Sequence, residues 1–259
     1  MAQPNFSGGM RAPSNRGSTK KIKEEKNRAD EALTSDLPDA VLFDWDGTLI
    51  DSGDILLQCW HVVTTQVLGA PFPITEDDRR KFLSMRGADS FPLLSEDPVV
   101  VAALDSGFTN AYLELASLHV RPQPTSHDLL SALRSHGVSL GVVTSKTRLR
   151  FECDLDICQM NDIFDVIITG DDVAAAKPDP EGVRAALAAL GVPAETSWMV
   201  GDGPVDVLAG RAGGMHTAGI SHGLHSTQEL IDVEPDVLVP DLADLAMIWG
   251  IDLRQKSGQ

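Results

Sequence analysis

The chain has 259 residues, 42% of them hydrophobic, enough for one large domain or a domain carrying an insertion. Its 21 Lys and Arg against 38 Asp and Glu give a formal net charge of −17, and such a surface repels nucleic acid. No apolar run approaches the roughly 18–20 residues of a membrane span and no apolar secretory core opens the chain, so a cytoplasmic protein with neither nucleic-acid nor membrane partners is expected.

Residues 1–36, rich in Gly, Ser, Pro, Asn and Lys and without periodicity, are read as a disordered tail. Its first 28 residues carry seven basic groups against Glu24 and Glu25. The Lys and Glu mixture, with no amphipathic stripe, favours a solvated tail over an organelle transit peptide. The first predicted strand, AVLFDW, starts at Ala40 and runs into two aspartates, Asp44 and Asp46. From about Ser52 to Val120 come only helical patterns, ILLQCWHVVTTQVLG, TEDDRRKFLSM and DPVVVAALDSGFTNAYLELASL, which read as a helical insertion. Strand and helix patterns then alternate: LGVVTS, FDVIITG, SWMVGD, HTAGIS and DVLVP as strands, with helical stretches between them, several closed by Gly. This rhythm predicts an α/β fold, a doubly wound parallel sheet covered on both faces. Cys59, Cys153 and Cys158 are odd in number and lack CxxC spacing, so free thiols are expected.

Strand side chains alternate, so Asp44 and Asp46 point the same way and Trp45 opposite, and Gly47 permits a sharp turn off the sheet. Both carboxylates then stand at the carboxyl edge, where open α/β sheets bind ligands. Two close carboxylates repel unless a cation intervenes. Three further strand ends offer partners: Thr144 and Ser145 in GVVTSKT, Lys177 in AAAKPDP, and Asp202 with Asp206 in MVGDGPVD. Carboxylates, hydroxyls and an ammonium on one rim suit a hard divalent cation and a phosphoryl group. Taken singly, each of Asp44, Asp46 and Asp202 is more often a turn or helix cap than a catalytic group.

The four segments DWDGTL, VVTSK, AAAKPDP and VGDGPVD, in this order and spacing, resemble the four motifs of the haloacid dehalogenase superfamily, and the similarity covers residues 39–250. The helical segment resembles the cap of its phosphoglycolate phosphatase and β-phosphoglucomutase branch. The resemblance implies a Rossmann-like core of residues 37–52 and 121–254 with a cap at 53–120. It implies a phosphoric monoester hydrolase in which Asp44 is the nucleophile that forms an aspartyl-phosphate and Asp46 the general acid and base. Mg²⁺ would be held by the Asp44 carboxylate, the Asp46 carbonyl and the Asp202 carboxylate. Thr144, Ser145 and Lys177 would bind the phosphate, helped by the Thr144 and Ser145 amides at a helix start, with Asp206 behind them. Gly203 departs from the pattern, since Thr or Ser commonly follows the fourth-motif aspartate.

Asp51 is expected to cap the helix beginning near Gly53, with residues 47–53 as a hinge. Within the insertion Arg86, in SMRGADSF, is the candidate for gripping a substrate carboxylate or second phosphate. Arg79, Arg80 and Lys81 read as a solvated face, His61 as a packed core residue, and His222 and His225 as structural. The expected partner is a small phosphorylated, phosphoglycolate-like substrate, and the protein a monomer or homodimer. The rivals are a phosphomutase and a catalytically silent binding protein of the same fold, but silent chains usually lose one of the acidic residues and none is missing.

Overall fold

The computed structural model describes residues 37–72, 75, 82–83 and 85–253. The expectations for the tail at 1–36 and for Arg79, Arg80 and Lys81 lie outside them. The chain opens with β1 (Ala40–Phe43), a wholly buried apolar strand. A two-residue strand β2 (Ile50–Asp51) follows, then the helices α1 (Gly53–Leu68), α2 (Gly87–Ser90) and α3 (Pro98–His119), and β3 (Arg121–Pro122). The remainder alternates: α4 (Ser126–Ser135), β4 (Ser139–Val143), α5 (Arg148–Cys158), β5 (Val166–Ile168), α6 (Glu181–Leu190), β6 (Ser197–Gly201), α7 (Pro204–Gly213), β7 (His216–Ile220), α8 (Thr227–Asp232), β8 (Val237–Val239) and α9 (Leu242–Ile248).

Six strands form one sheet in the order β5-β4-β1-β6-β7-β8, every pair parallel. The chain winds outward from β1 through β4 to β5 and then restarts on the other side at β6. The strand order therefore reverses beside β1, the place where such sheets open a crevice at their carboxyl ends. Helices α6 and α7 pack Val183, Ala186, Leu187 and Ala209 against Leu42, Val143 and Met199 on one face. Parallel strands need this cover, because neither face can be left to water.

The helical insertion is flanked by β2 and β3, which pair antiparallel as Ile50 with Pro122 and Asp51 with Arg121. Two-residue strands carry no legible periodicity, and none was expected here. Asp51 consequently lies in β2, exposed, and does not cap α1. Ser52 occupies the cap position, but its hydroxyl donates to Asp46 Oδ1 at 2.5 Å and accepts from no helix amide. His61 is also not a core residue. The buried stripe of α1 runs through Leu56, Cys59, Trp60, Val63 and Thr64, and His61 falls off that stripe and is exposed.

Trp60 gathers Phe72, Phe82, Phe91 and Phe108 around its ring, all with centroids within 5.2 Å. This aromatic cluster is the insertion's own small core, with α1 lying along α3. All three cysteines are free, Cys59 and Cys158 buried. No helix among the described residues is long and apolar enough to cross a membrane. Because Trp60 is 3% exposed at the centre of that cluster, Trp60→Ala should lower the unfolding free energy by about 3–5 kcal/mol in urea denaturation. A change under about 1 kcal/mol would show that the cluster does not hold the insertion.

Candidate active site

Asp44 follows β1, Thr144 follows β4 and Asp202 follows β6, so three neighbouring strands deliver three polar groups to one edge. All three line a cavity of about 670 Å³ that includes its open mouth, together with Asp46, Ser145, Lys177 and Asp206. Trp45 points away, fully buried, with its indole nitrogen donating to Asp154 at 3.1 Å. Gly47 turns the chain at φ +81°, and a Cβ there would lie 2.5 Å from Asp202 Oδ2. Only glycine meets both demands.

The Lys177 ammonium stands between two carboxylates, 2.6 Å from Asp44 Oδ1 and 2.6 Å from Asp206 Oδ1, and also donates to the Val143 carbonyl at 2.9 Å. The other Asp206 oxygen accepts from the Gly203 amide at 3.0 Å. Asp202 accepts from Thr48 Oγ1 at 3.0 Å and from the Leu224 amide at 2.6 Å. One oxygen each of Asp44, Asp202 and Asp206 lies within 4.8 Å of the others, and all three residues line the same cavity. The Asp44 carboxyl is raised to about 8: burial is the largest cause, Lys177 pulls against it, and Asp206 and Asp202 add to it. Burial acts to lower Lys177, but Asp206 and Asp44 outweigh it and raise its pKa. Three carboxylates around one ammonium leave two negative charges uncompensated. An oxygen-only set with that excess fits a hard divalent cation.

A second charged cluster escaped the sequence reading. Lys146 Nζ donates to Asp46 Oδ1 at 2.6 Å, to Tyr112 Oη at 2.8 Å and to Asp154. Tyr112 in turn donates to Asp154 at 2.9 Å. Lys146 and Ser52 thus both donate to the same oxygen of Asp46, Oδ1. Burial, followed by the Asp154 charge, raises the Tyr112 hydroxyl well above its usual value. Lys146 sits inside the segment VVTSK, so its place beside the site was visible, but its partners on α3 and α5 were not.

Thr144 is buried, and its hydroxyl accepts from the Lys146 amide at 3.1 Å. Its own amide donates to Ile168 O at 2.9 Å as part of the sheet, so it is not available to a phosphate. The helix beyond begins only at Arg148, which leaves Ser145 in a loop, half-buried at the cavity wall. Arg86 departs from its expected task. Its guanidinium does not line the cavity but holds Asp89 and the carbonyls of Gly170, Val173 and Ala174, at 3.5, 3.2 and 3.5 Å for the carbonyls, tying the insertion to the loop after β5. His225 is closer to the chemistry than expected: its Nδ1 lies 3.3 Å from Asp202 Oδ2. Its ring fills the space that a side chain at 203 would take, since a Cβ on Gly203 would meet its Cε1 at 2.8 Å. His222 faces the Thr48 carbonyl at 3.3 Å.

The sequence pattern of the family described as haloacid dehalogenase-like hydrolase matches residues 41–220. The pyrophosphatase PpaX of Anoxybacillus flavithermus is 32% identical over 216 residues, covering 83% of this chain and 98% of that one. A crystal structure described as a haloacid dehalogenase-like hydrolase from Bacteroides fragilis superimposes with a TM-score of 0.72 at 27% identity, over 82% of this chain and 99% of its own. CbbY from Rhodobacter sphaeroides in complex with phosphate has the same fold, with a TM-score of 0.72 at 24% identity over 83% and 100% of the two chains. Structures described as phosphoglycolate phosphatases and a β-phosphoglucomutase share that fold too. The chain belongs to the haloacid dehalogenase-like hydrolases and is an enzyme, a hydrolase of the phosphatase type.

Lys146 is 4% exposed and the Asp154 side chain is fully buried. Lys146→Met strands that carboxylate without its cation and should cost about 3 kcal/mol or more in denaturant unfolding, while adding Asp154→Leu should recover much of the loss. Equal stability of wild type and Lys146→Met would contradict the pairing.

Proposed function

We propose that this hydrolase is a Mg²⁺-dependent phosphatase of a small phosphorylated, phosphoglycolate-like metabolite, working through an aspartyl-phosphate on Asp44. The observation that carries the reading is the cluster of Asp44, Asp202, Asp206 and Lys177 on the wall of one cavity, with Asp46 beside it. Asp44 is the nucleophile: its carboxylate oxygen attacks phosphorus while the bond to the leaving oxygen breaks. Asp46 gives that oxygen a proton and then takes one from the water that releases phosphate. Its carboxylate is suited to the task because Lys146 and Ser52 fix its orientation while it remains on the cavity wall.

The Asp44 and Asp202 carboxylates and the Asp46 backbone carbonyl would hold Mg²⁺. When bound, the ion supplies positive charge between nucleophile and phosphoryl oxygens. Lys177, the Thr144 hydroxyl and Ser145 bind the phosphoryl group, and Asp206 keeps the ammonium aimed by holding its far side. Residues 53–120 act as a cap over a core of residues 37–52 and 121–254. Its closure over the phosphoryl end expels water, and Arg86, already hydrogen-bonded across to the loop after β5, helps to seat it.

Phosphate release from a panel of phosphorylated metabolites and p-nitrophenyl phosphate, with Mg²⁺ or with EDTA, tests this reading. Turnover should need the metal and return when Mg²⁺ is restored. Asp44→Asn should lower it by at least about a thousandfold with circular dichroism unchanged. Retention of most of the activity in Asp44→Asn would remove the nucleophile assignment. Failure to release phosphate from every member of the panel would instead favour a silent binding protein.

A further inference from the structure

The cavity wall carries a cation that the phosphoryl-transfer groups do not use. Arg150, on α5, is 6% exposed and lines the cavity alongside Leu56, Trp60, Phe91 and Phe108. Its Nε donates to Thr147 Oγ1 at 2.9 Å, and its guanidinium lies over the rings of Phe108 and Tyr112, 5.0 and 5.8 Å from their centres. These contacts fix the group. They do not neutralise it: among the described residues no carboxylate lies within 4.0 Å of Arg150, and its two terminal nitrogens have no acceptor. The buried lysines differ, each being shared between two carboxylates.

A guanidinium cannot shed its proton, so burial without a counter-charge is costly unless an anion arrives with the ligand. We infer that Arg150 is the subsite for a second anionic group, carried on the part of the substrate that leaves. The direction follows from Tyr112. Lys146 Nζ stands 4.6 Å from the same ring centre that Arg150 faces at 5.8 Å, so the two cations lie within about 10 Å of each other. Lys146 holds Asp46, the group proposed to protonate the leaving oxygen. The leaving part of the substrate therefore lies on the Lys146 side of the cavity, whose wall Arg150 also lines. The planar fork accepts either a carboxylate or a second phosphoryl group in a bidentate way. The aromatic wall lowers the local dielectric and strengthens the contact. Arg86, engaged with backbone carbonyls, is not needed for this role.

This inference deepens the phosphatase reading and rests on it for the term leaving group, so turnover and binding are measured separately. Wild type, Arg150→Met and Arg150→Lys are assayed with 2-phosphoglycolate, with pyrophosphate and with ethyl phosphate, which matches the first in length but lacks the second charge. Wild type should favour one of the two charged substrates over ethyl phosphate by at least about thirtyfold in kcat/KM, mainly through KM. Arg150→Met should erase most of that ratio and Arg150→Lys restore part of it. Whichever probe shows the dependence names the group as carboxylate or phosphoryl. In parallel, calorimetry on Asp44→Asn with Mg²⁺ compares the affinities of the same three compounds, with and without Arg150→Met. Tighter binding of a charged probe that Arg150→Met abolishes upholds the subsite even if no compound is turned over, a result that would sink only the phosphatase reading. Equal affinity for ethyl phosphate and both charged probes in Asp44→Asn overturns the subsite, whether or not Arg150→Met folds.

Discussion

The Lys177 ammonium, wedged between Asp44 and Asp206 and braced by the Val143 carbonyl, is the interaction on which the site depends. It brings the loop after β5 to the end of β1 and to α7, and it lets buried carboxylates approach one another. One ammonium is still too little charge for three carboxylates. Burial first, and Asp206 and Asp202 after it, raise the Asp44 carboxyl against the pull of Lys177, and a divalent cation would offset the excess negative charge. The sheet makes the gathering possible, because β4, β1 and β6 are adjacent and their ends coincide where the strand order reverses.

The cavity has two ends of different chemistry. At the sheet edge stand carboxylates, hydroxyls and Lys177, groups suited to a phosphoryl unit and a hard cation. Toward the insertion stand Trp60, Phe91 and Phe108 with the Arg150 guanidinium among them. Lys146 and Tyr112 join the two, since Tyr112 comes from α3, Lys146 from the loop after β4, and the lysine touches Asp46. A shift of α3 would move the tyrosine that supports Lys146. The helical insertion is thereby linked to the orientation of Asp46 by a chain of hydrogen bonds and not merely by proximity.

Most of the fold was legible because its strands are short apolar runs, each ending in a distinctive polar group. AVLF, LGVV and SWMVG could be buried only as central parallel strands. The groups that strand ends deliver, such as Asp44, Thr144 and Asp202, share that legibility, since alternation and a following turn set their direction. What escaped depends on tertiary contact. Lys146 meets Tyr112 and Asp154 across three elements, and nothing in the spacing of residues 112, 146 and 154 announces it. Arg150 reads as one more basic residue on a polar helix until α3 closes over it with Phe108 and Tyr112. Arg86 lay beside Gly87 in a loop suited to ligand binding, yet the carbonyls of the loop after β5 claim it. The β2 and β3 pairing is too short to leave a pattern.

The central claim is that the buried carboxylates at the ends of β1 and β6 need a divalent cation to complete their charge. Electron paramagnetic resonance titration with Mn²⁺, a spectroscopic substitute for Mg²⁺, counts such ions directly. Wild type should bind one ion in this site, Mg²⁺ should displace it, and Asp202→Asn should lose it while Asp154→Asn keeps it. Binding that is absent in wild type, or that survives unchanged in Asp202→Asn, would contradict the claim.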